Sequence, residues 1–374
     1  MTGIKQLRAG VIGCGGIAQM MHLPFLDRNT SRFRISALCD LSKGLTERLG
    51  ERYRVAPVQC FTDYQLLLEQ DLDIMLVTSG GDHTPIVRAA LQAGRHVFVE
   101  KPLCYSLAEA EELTSLAQRN GLKLMVGYMK RFDPAYRQAQ RLLEGMGEIR
   151  YVQMNTLHPE EEGYLDFQGI LPAGELPQDD LEMIREREAR VVAQAIGNLP
   201  QPLAQLYTDV MLGSMVHDIN TMRGLFGEPD RVLFAEHWPA DEKPGAVTTM
   251  LQYPGNMRVV YTWIFLPELR EYFQEIAVMS SEARLRIQFP SPYLKHFPTP
   301  LVYQHMQEGA AVEENITVSY EEAFELELLA FHDCVVNDRQ PLTGGRDARQ
   351  DIYWLQQILA ALNPAGLGGE AVQK

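Results

Sequence analysis

Lys101 is the side chain of this sequence best placed to do chemistry. It follows the apolar run 95–100 directly, in the order Glu100-Lys101-Pro102. If that run is a strand of a parallel sheet, Lys101 stands at its carboxyl end. A lysine partly withdrawn from water at such an edge can give up or take a proton near neutrality. Upstream, the short apolar run 7–12 leads straight into Gly13-Cys14-Gly15-Gly16-Ile17-Ala18. The pattern Gly13-x-Gly15-x-x-Ala18 is a phosphate-binding turn. Gly13 permits the tight bend, Gly15 and Gly16 let the backbone approach a pyrophosphate, and Ala18 allows close helix–strand packing. From Ile17 onward the helix N-terminus supplies free N–H groups. A second apolar run, 34–39, ends in Asp40. A carboxylate there accepts hydrogen bonds from ribose hydroxyls and repels a 2′-phosphate, so the expected cofactor is NAD.

These residues need a scaffold, and the sequence supplies one. Residues 72–77 form a continuous apolar strand, as a parallel strand covered on both faces should. The loop 78–83 follows it, and Thr78, Ser79 and His83 are expected beside the cofactor. A helix over 85–93 stops at Gly94. Strand 95–100 ends in Glu100, also expected near the cofactor. Ser106 and Glu109 form a capping box for a helix reaching Asn120, and 122–127 is a further strand. Alternation of this kind predicts a doubly wound parallel sheet. Its ligands sit at the carboxyl ends of the strands, where Gly13, Asp40, Thr78 and Lys101 all fall.

The pattern changes beyond Val152. Longer alternating runs at 231–238, 247–253, 257–265, 272–280 and 283–289 predict a large, mainly antiparallel open sheet with one packed face. Pro254-Gly255-Asn256 reads as a hairpin turn. Helices over 321–337 and 347–362 close the chain. A polar stretch at 159–205, with a charged helical run over 179–195, reads as an insertion or lid. The fold class is therefore α/β: an N-terminal nucleotide-binding domain over 1–130 and a C-terminal α+β domain over 131–374.

Composition narrows the function. The formal charge is 34 − 49 = −15, which argues against nucleic-acid or anionic-membrane partners. No apolar run is long enough to span a bilayer, and the first apolar run belongs to the nucleotide strand rather than to a leader. Five cysteines without CxxC spacing suggest reduced thiols in a cytoplasmic protein, and no metal centre is expected.

At this point the chain resembles the Gfo/Idh/MocA family of NAD(P)-dependent oxidoreductases. The signs are the glycine turn, Asp40, the loop from Thr78 to His83, and above all Gly94-Arg-His-Val-Phe-Val-Glu100-Lys101-Pro102-Leu103. Met129-Lys-Arg131-Phe132-Asp133-Pro134 is similar to the inositol dehydrogenase branch. Val216-His217-Asp218-Ile219-Asn220 is similar to the family's histidine helix. The resemblance implies a Rossmann domain and hydride transfer between a sugar or polyol carbon and nicotinamide. It implies that Lys101 handles the hydroxyl proton and that His217 is the general base or acid, with Arg131 and Asn220 toward the substrate. Such proton transfer is worth on the order of a hundred- to ten-thousand-fold.

One departure stands out. The family's aspartate four residues before the histidine is Gly213 here, and the acid three after it is Asn220. An imidazole without that carboxylate is expected to be the weaker base. Two other classes remain open: a non-redox glycosidase using held NAD, and an NAD(H)-binding regulatory protein with weakened catalysis. Asp218 is expected to cap or pair at the surface, and His22 and Arg223 to be structural. The broad antiparallel sheet has few helices to cover its outer face, so a homodimer or homotetramer is expected.

Overall fold

The computed structural model describes residues 4–160, 162–174, 176, 178–239 and 244–363. The chain divides into two compact units. The first holds the chain up to Met129, with Leu165–Asn198 and Phe324–Ile352. The second holds Lys130–Tyr164, Leu199–Ala323 and the chain from Tyr353 onward.

The first unit is built on six strands: β1 (Leu7–Ile12), β2 (Phe33–Cys39), β3 (Cys60–Phe61), β4 (Ile74–Val77), β5 (His96–Glu100) and β6 (Leu124–Gly127). Their order is β3-β2-β1-β4-β5-β6, and every pairing is parallel. All four residues of β4 are buried, because helices cover both faces. Each fully buried aliphatic side chain contributes about 1.5–3 kcal/mol of transfer free energy, so the run Ile-Met-Leu-Val can only be a central strand. The chain leaves β1 toward β2 on one side and reaches β4 on the other. That reversal opens a crevice at the carboxyl ends of β1 and β4. Helix Leu107–Arg119 begins as read: Ser106 Oγ accepts from the Glu109 amide at 3.2 Å and donates to the Glu109 carboxylate at 2.9 Å. The C-terminal part of the chain also belongs here. The Val126 amide donates to the Thr343 carbonyl, and the Thr343 hydroxyl donates back to the Val126 carbonyl, both at 2.7 Å.

The second unit carries eight strands: β7 (Ile149–His158), β8 (Arg231–Trp238), β9 (Ala246–Gln252), β10 (Arg258–Phe265), β11 (Phe273–Ser280), β12 (Ala283–Phe289), β13 (Leu301–Gln307) and β14 (Ala310–Ile316). Their order is β14-β13-β12-β11-β7-β10-β9-β8. The pairings are antiparallel except β7 with β10. Five strands match the sequence reading closely, and Gly255 and Asn256 turn β9 into β10 at positive φ. The hairpin β13–β14 was not foreseen. It turns at Glu308-Gly309, both at positive φ, and glutamate gives no turn signal. On the inner face lie Val152, Met154 and Thr156 of β7, Tyr261 and Trp263 of β10, and Gln274, Ile276 and Val278 of β11, all buried. Helix Val216–Phe226 meets this face, and a π-helical stretch, Leu206–Met215, precedes it.

Candidate active site

The glycine turn is shaped by its neighbour in the sheet. Gly13 has φ +88°, and a Cβ on it would fall inside van der Waals contact of the Ser79 backbone. Only glycine fits there. A Cβ on Gly15 would meet nothing within 4 Å among the described residues, so the turn's outer side is open to a ligand. Thr78, 3% exposed, bolts the turn to β4 by donating its hydroxyl to the Gly13 carbonyl at 2.5 Å. The buried Ser79 hydroxyl has no hydrogen-bond partner among the described residues. Asp40 closes β2. One of its oxygens accepts the Cys14 amide at 2.8 Å and the other the Ser42 amide at 2.9 Å. Ionised carboxylate oxygens hold further acceptor capacity beyond these two bonds. Burial, then the Asp40 charge, push the Cys14 thiol well up, so it is no nucleophile. An open glycine turn, an acid at the end of β2 on one side of it and an orphaned hydroxyl after β4 on the other fit a dinucleotide.

Lys101 follows β5 and is half-buried. The residues around it are turned inward. His83 is 2% exposed, and its ring nitrogens lie 2.7 Å from the Pro102 carbonyl and 2.6 Å from the Ser79 carbonyl. It brackets the loop after β4 to the segment that carries Lys101. Glu100, 6% exposed, has one oxygen 2.6 Å from His22 Nε2 and the other 3.3 Å from the Lys101 amide. Glu327 completes a buried trio whose ligand-type atoms lie within 4.8 Å of one another. The polar side-chain atoms of His83 and Glu100, both expected near the cofactor, thus lie within hydrogen-bond distance of protein groups. His22 itself is fully buried.

In the second unit His217 is the second residue of helix Val216–Phe226 and is half-buried. Its neighbour Asp218 is the largest correction to the sequence reading. It is 1% exposed, not at the surface. Its carboxylate accepts from Thr156 Oγ1 at 2.9 Å, from Tyr261 Oη, from Gln274 Nε2 and, at 3.4 Å, from Lys130 Nζ. Burial, then the Asp218 charge, push the Tyr261 hydroxyl well up, so it stays a donor. A buried carboxylate needs donors of this kind, and they anchor the helix to β7, β10 and β11. Arg131 and Asn220 come together: Arg131 Nη1 lies 3.4 Å from both the side-chain oxygen and the carbonyl of Asn220. Asn220 has no exposed surface, so it holds Arg131 rather than offering an open contact. A Cβ on Gly224 would collide with Arg131 and the Tyr136 hydroxyl, which explains that glycine.

Three rings escaped the sequence reading. His158, at the end of β7, lies 5.9 Å from the Trp263 ring and 5.7 Å from the Tyr272 ring. Trp263 donates to Ser214 Oγ at 2.9 Å, three residues before His217. The strand's alternation carried the signal, since Val152, Met154, Thr156 and His158 share one face.

Comparison with known proteins fits this geometry. Residues 7–128 match the GFO_IDH_MocA family, described as an oxidoreductase family with an NAD-binding Rossmann fold. That match is confined to the parallel-sheet part of the chain. The oxidoreductase YceM of Salmonella typhimurium is 35% identical over 154 residues, 41% of this chain and 48% of that protein. An inositol 2-dehydrogenase of Salmonella paratyphi B is 30% identical over 146 residues, 38% of this chain and 43% of that enzyme. The matched stretch thus spans about half the length of these curated relatives. The solved structure of a UDP-N-acetylglucosamine 3-dehydrogenase from Acidithiobacillus ferrooxidans shares the fold. It has a TM-score of 0.72 at 19% identity, covering 96% of this chain and 99% of that one. No helix among the described residues is long and apolar enough to cross a membrane.

Proposed function

We propose that this protein is an NAD-dependent dehydrogenase that moves a hydride between a hydroxyl-bearing carbon of a sugar or polyol and nicotinamide. One observation carries the proposal. Lys101 directly follows a strand of the same parallel sheet whose first strand feeds a glycine turn that admits no Cβ at Gly13. The bound dinucleotide would supply the hydride acceptor. The chain's own groups do the rest. Gly15, Gly16 and Ile17 offer their amides to the pyrophosphate, the Ser79 hydroxyl gains a partner, and Asp40 accepts the ribose hydroxyls. Lys101 takes the proton from the reacting hydroxyl oxygen as the carbon gives up its hydride, and returns it in reduction. His217 is the second proton-transfer group, fixed in place because Asp218 pins its helix to the sheet. Arg131, His158 and Tyr272 orient the substrate hydroxyls. Trp263 shapes the site by holding Ser214.

We further infer a homo-oligomer formed through the outer face of the large sheet, and a cytoplasmic location suited to five free cysteines. Dehydrogenase activity is tested by incubating the protein with NAD⁺ and a panel of sugars and polyols. NADH formation with at least one of them, lost in Lys101→Met, supports the reading. NADH formation with none of them sinks it.

A further inference from the structure

The insertion grips every loop from which the proposed dinucleotide site is made. At the glycine turn, Gln19 is 6% exposed and clamps the insertion from both ends of its amide. Its nitrogen donates to the Cys14 carbonyl at 2.9 Å and the Leu171 carbonyl at 3.1 Å, and its oxygen accepts the Leu171 amide at 2.8 Å. The Ile170 side chain lies over Gly16, 3.7 Å from where a Cβ would stand. Beside Asp40, Ser42 Oγ donates to the Ala173 carbonyl, and Arg48 donates to the Pro172 carbonyl at 2.5 Å. At the loop after β4, Glu188 accepts the Asp82 amide at 2.9 Å and the Tyr105 hydroxyl at 3.3 Å. It fills the space beside Gly81, and Arg187 Nε lies 3.0 Å from Asp82.

We propose that the segment Leu165–Asn198 is a strap across the dinucleotide site, and that its opening controls both entry and release of NAD(H). This inference rests on the NAD reading above. The strap touches the carboxyl-end loops of β1, β2 and β4, the three that a dinucleotide must reach. Its hold is polar and light. Along helix Gln178–Ile196 only Val192 and Ile196 are buried, while Met183 and Ile184 are 62% and 40% exposed. Segments with few buried apolar contacts open at low free-energy cost, and active-site lids are drawn from them. Release of such a clasp lifts Ile170 from over Gly16 and frees the loops beside Asp40 and Asp82 without disturbing the sheet. An opening step enters the association and dissociation rate constants alike. A residue that merely touches the ligand alters dissociation and affinity, leaving association unchanged.

Stopped-flow NADH binding separates the two. Arg187→Ala combined with Glu188→Gln should raise both rate constants by about ten-fold, the size of one hydrogen bond to a charged group, with Kd moving much less. Ser42→Cys with Ala173→Cys adds a reversible lock. Oxidation should slow association and dissociation together, and reduction should restore them. Unchanged rates in the first variant, a change in dissociation alone, or wild-type exchange in the oxidised lock would each overturn the strap. Wild-type protein that binds no NADH would instead remove the NAD reading, and the strap with it.

Discussion

The Asp40 carboxylate reaches back 2.8 Å to the Cys14 amide, tying the acid that ends β2 to the glycine turn that follows β1. With its second oxygen on the Ser42 amide, the carboxylate is fixed before any ribose arrives. A 2′-phosphate brought there would meet a fixed negative charge. NAD(H) should therefore bind more tightly than NADP(H), and Asp40→Ser should narrow the gap. Affinity titrations with both cofactors decide it. Equal or tighter NADP(H) binding by the wild type would contradict the assignment.

His217 is expected to matter even though Gly213 stands where a carboxylate is usual. His217→Ala should slow turnover by on the order of a hundred-fold or more. The fold accepts a side chain at Gly213, since a Cβ there comes no closer than 3.6 Å to the Thr208 carbonyl. In Gly213→Asp the new carboxylate should favour the imidazolium and shift the corresponding limb of the pH–rate profile upward. Superimposable profiles for wild type and Gly213→Asp, or full activity in His217→Ala, would show that the imidazole is not the acting group. Asp209 does not replace the lost acid in any visible way: it is exposed and accepts from the Thr208 hydroxyl at 2.7 Å.

Glu100 gives the fold an acid limit. Burial alone would raise its pKa. The hydrogen bond from His22 and the charges of His22, Lys101 and His83 outweigh that and hold it below the usual glutamate value. A carboxyl depressed by folding adds stability above its unfolded value of about 4.3, and loses it as the pH falls toward the folded value. Urea unfolding across acid pH should show wild type losing stability below about pH 4.3 more steeply than Glu100→Gln. Parallel acid limbs would mean that Glu100 is not ionised in the fold.

The outer face of the large sheet carries Met250, Val260, Ile264, Met279 and Met306, with Met306 59% exposed. Trp238 leans onto the same face through its bond to Thr248 at 2.9 Å. Apolar surface of this extent is expected to be covered by a second copy. Sedimentation at micromolar concentration should give a dimer or tetramer of the 42.3 kDa chain. A monomer that persists across the concentration range would refute it.

Much of this was legible in the sequence because it rests on local rules. The capping box at Ser106 and the strand ending at Glu100 follow from short-range hydrogen bonding and side-chain pattern, and the glycine turn announces itself by its composition although Ser79, from another strand, is what excludes a side chain at Gly13; each stands where it was read. The charged helix of the insertion was also legible, but not its place. Gln19 and Ser42 lie more than a hundred residues from the backbone they hold, and no local pattern announces such pairs. Asp218 was misread for a related reason. A charged residue on a helix is normally solvated, and only the donors on β7, β10 and β11 allow this one to be buried. Asn220 was placed by resemblance, and the structure shows it spent on Arg131. The π-helical turn before His217 has no signal in the sequence that we can identify.

The central claim is hydride transfer to a bound nicotinamide, and isotope transfer tests it most directly. Wild type and Lys101→Met would be incubated with NAD⁺ and sugars or polyols deuterated at their hydroxyl-bearing carbons. The nicotinamide ring would then be examined by mass spectrometry. Wild type should yield deuterated NADH from at least one compound. Lys101→Met should bind NAD⁺ within a few-fold of wild type yet transfer deuterium on the order of a hundred- to ten-thousand-fold more slowly. Wild type that binds NAD⁺ and never acquires deuterium from any sugar or polyol would contradict the account.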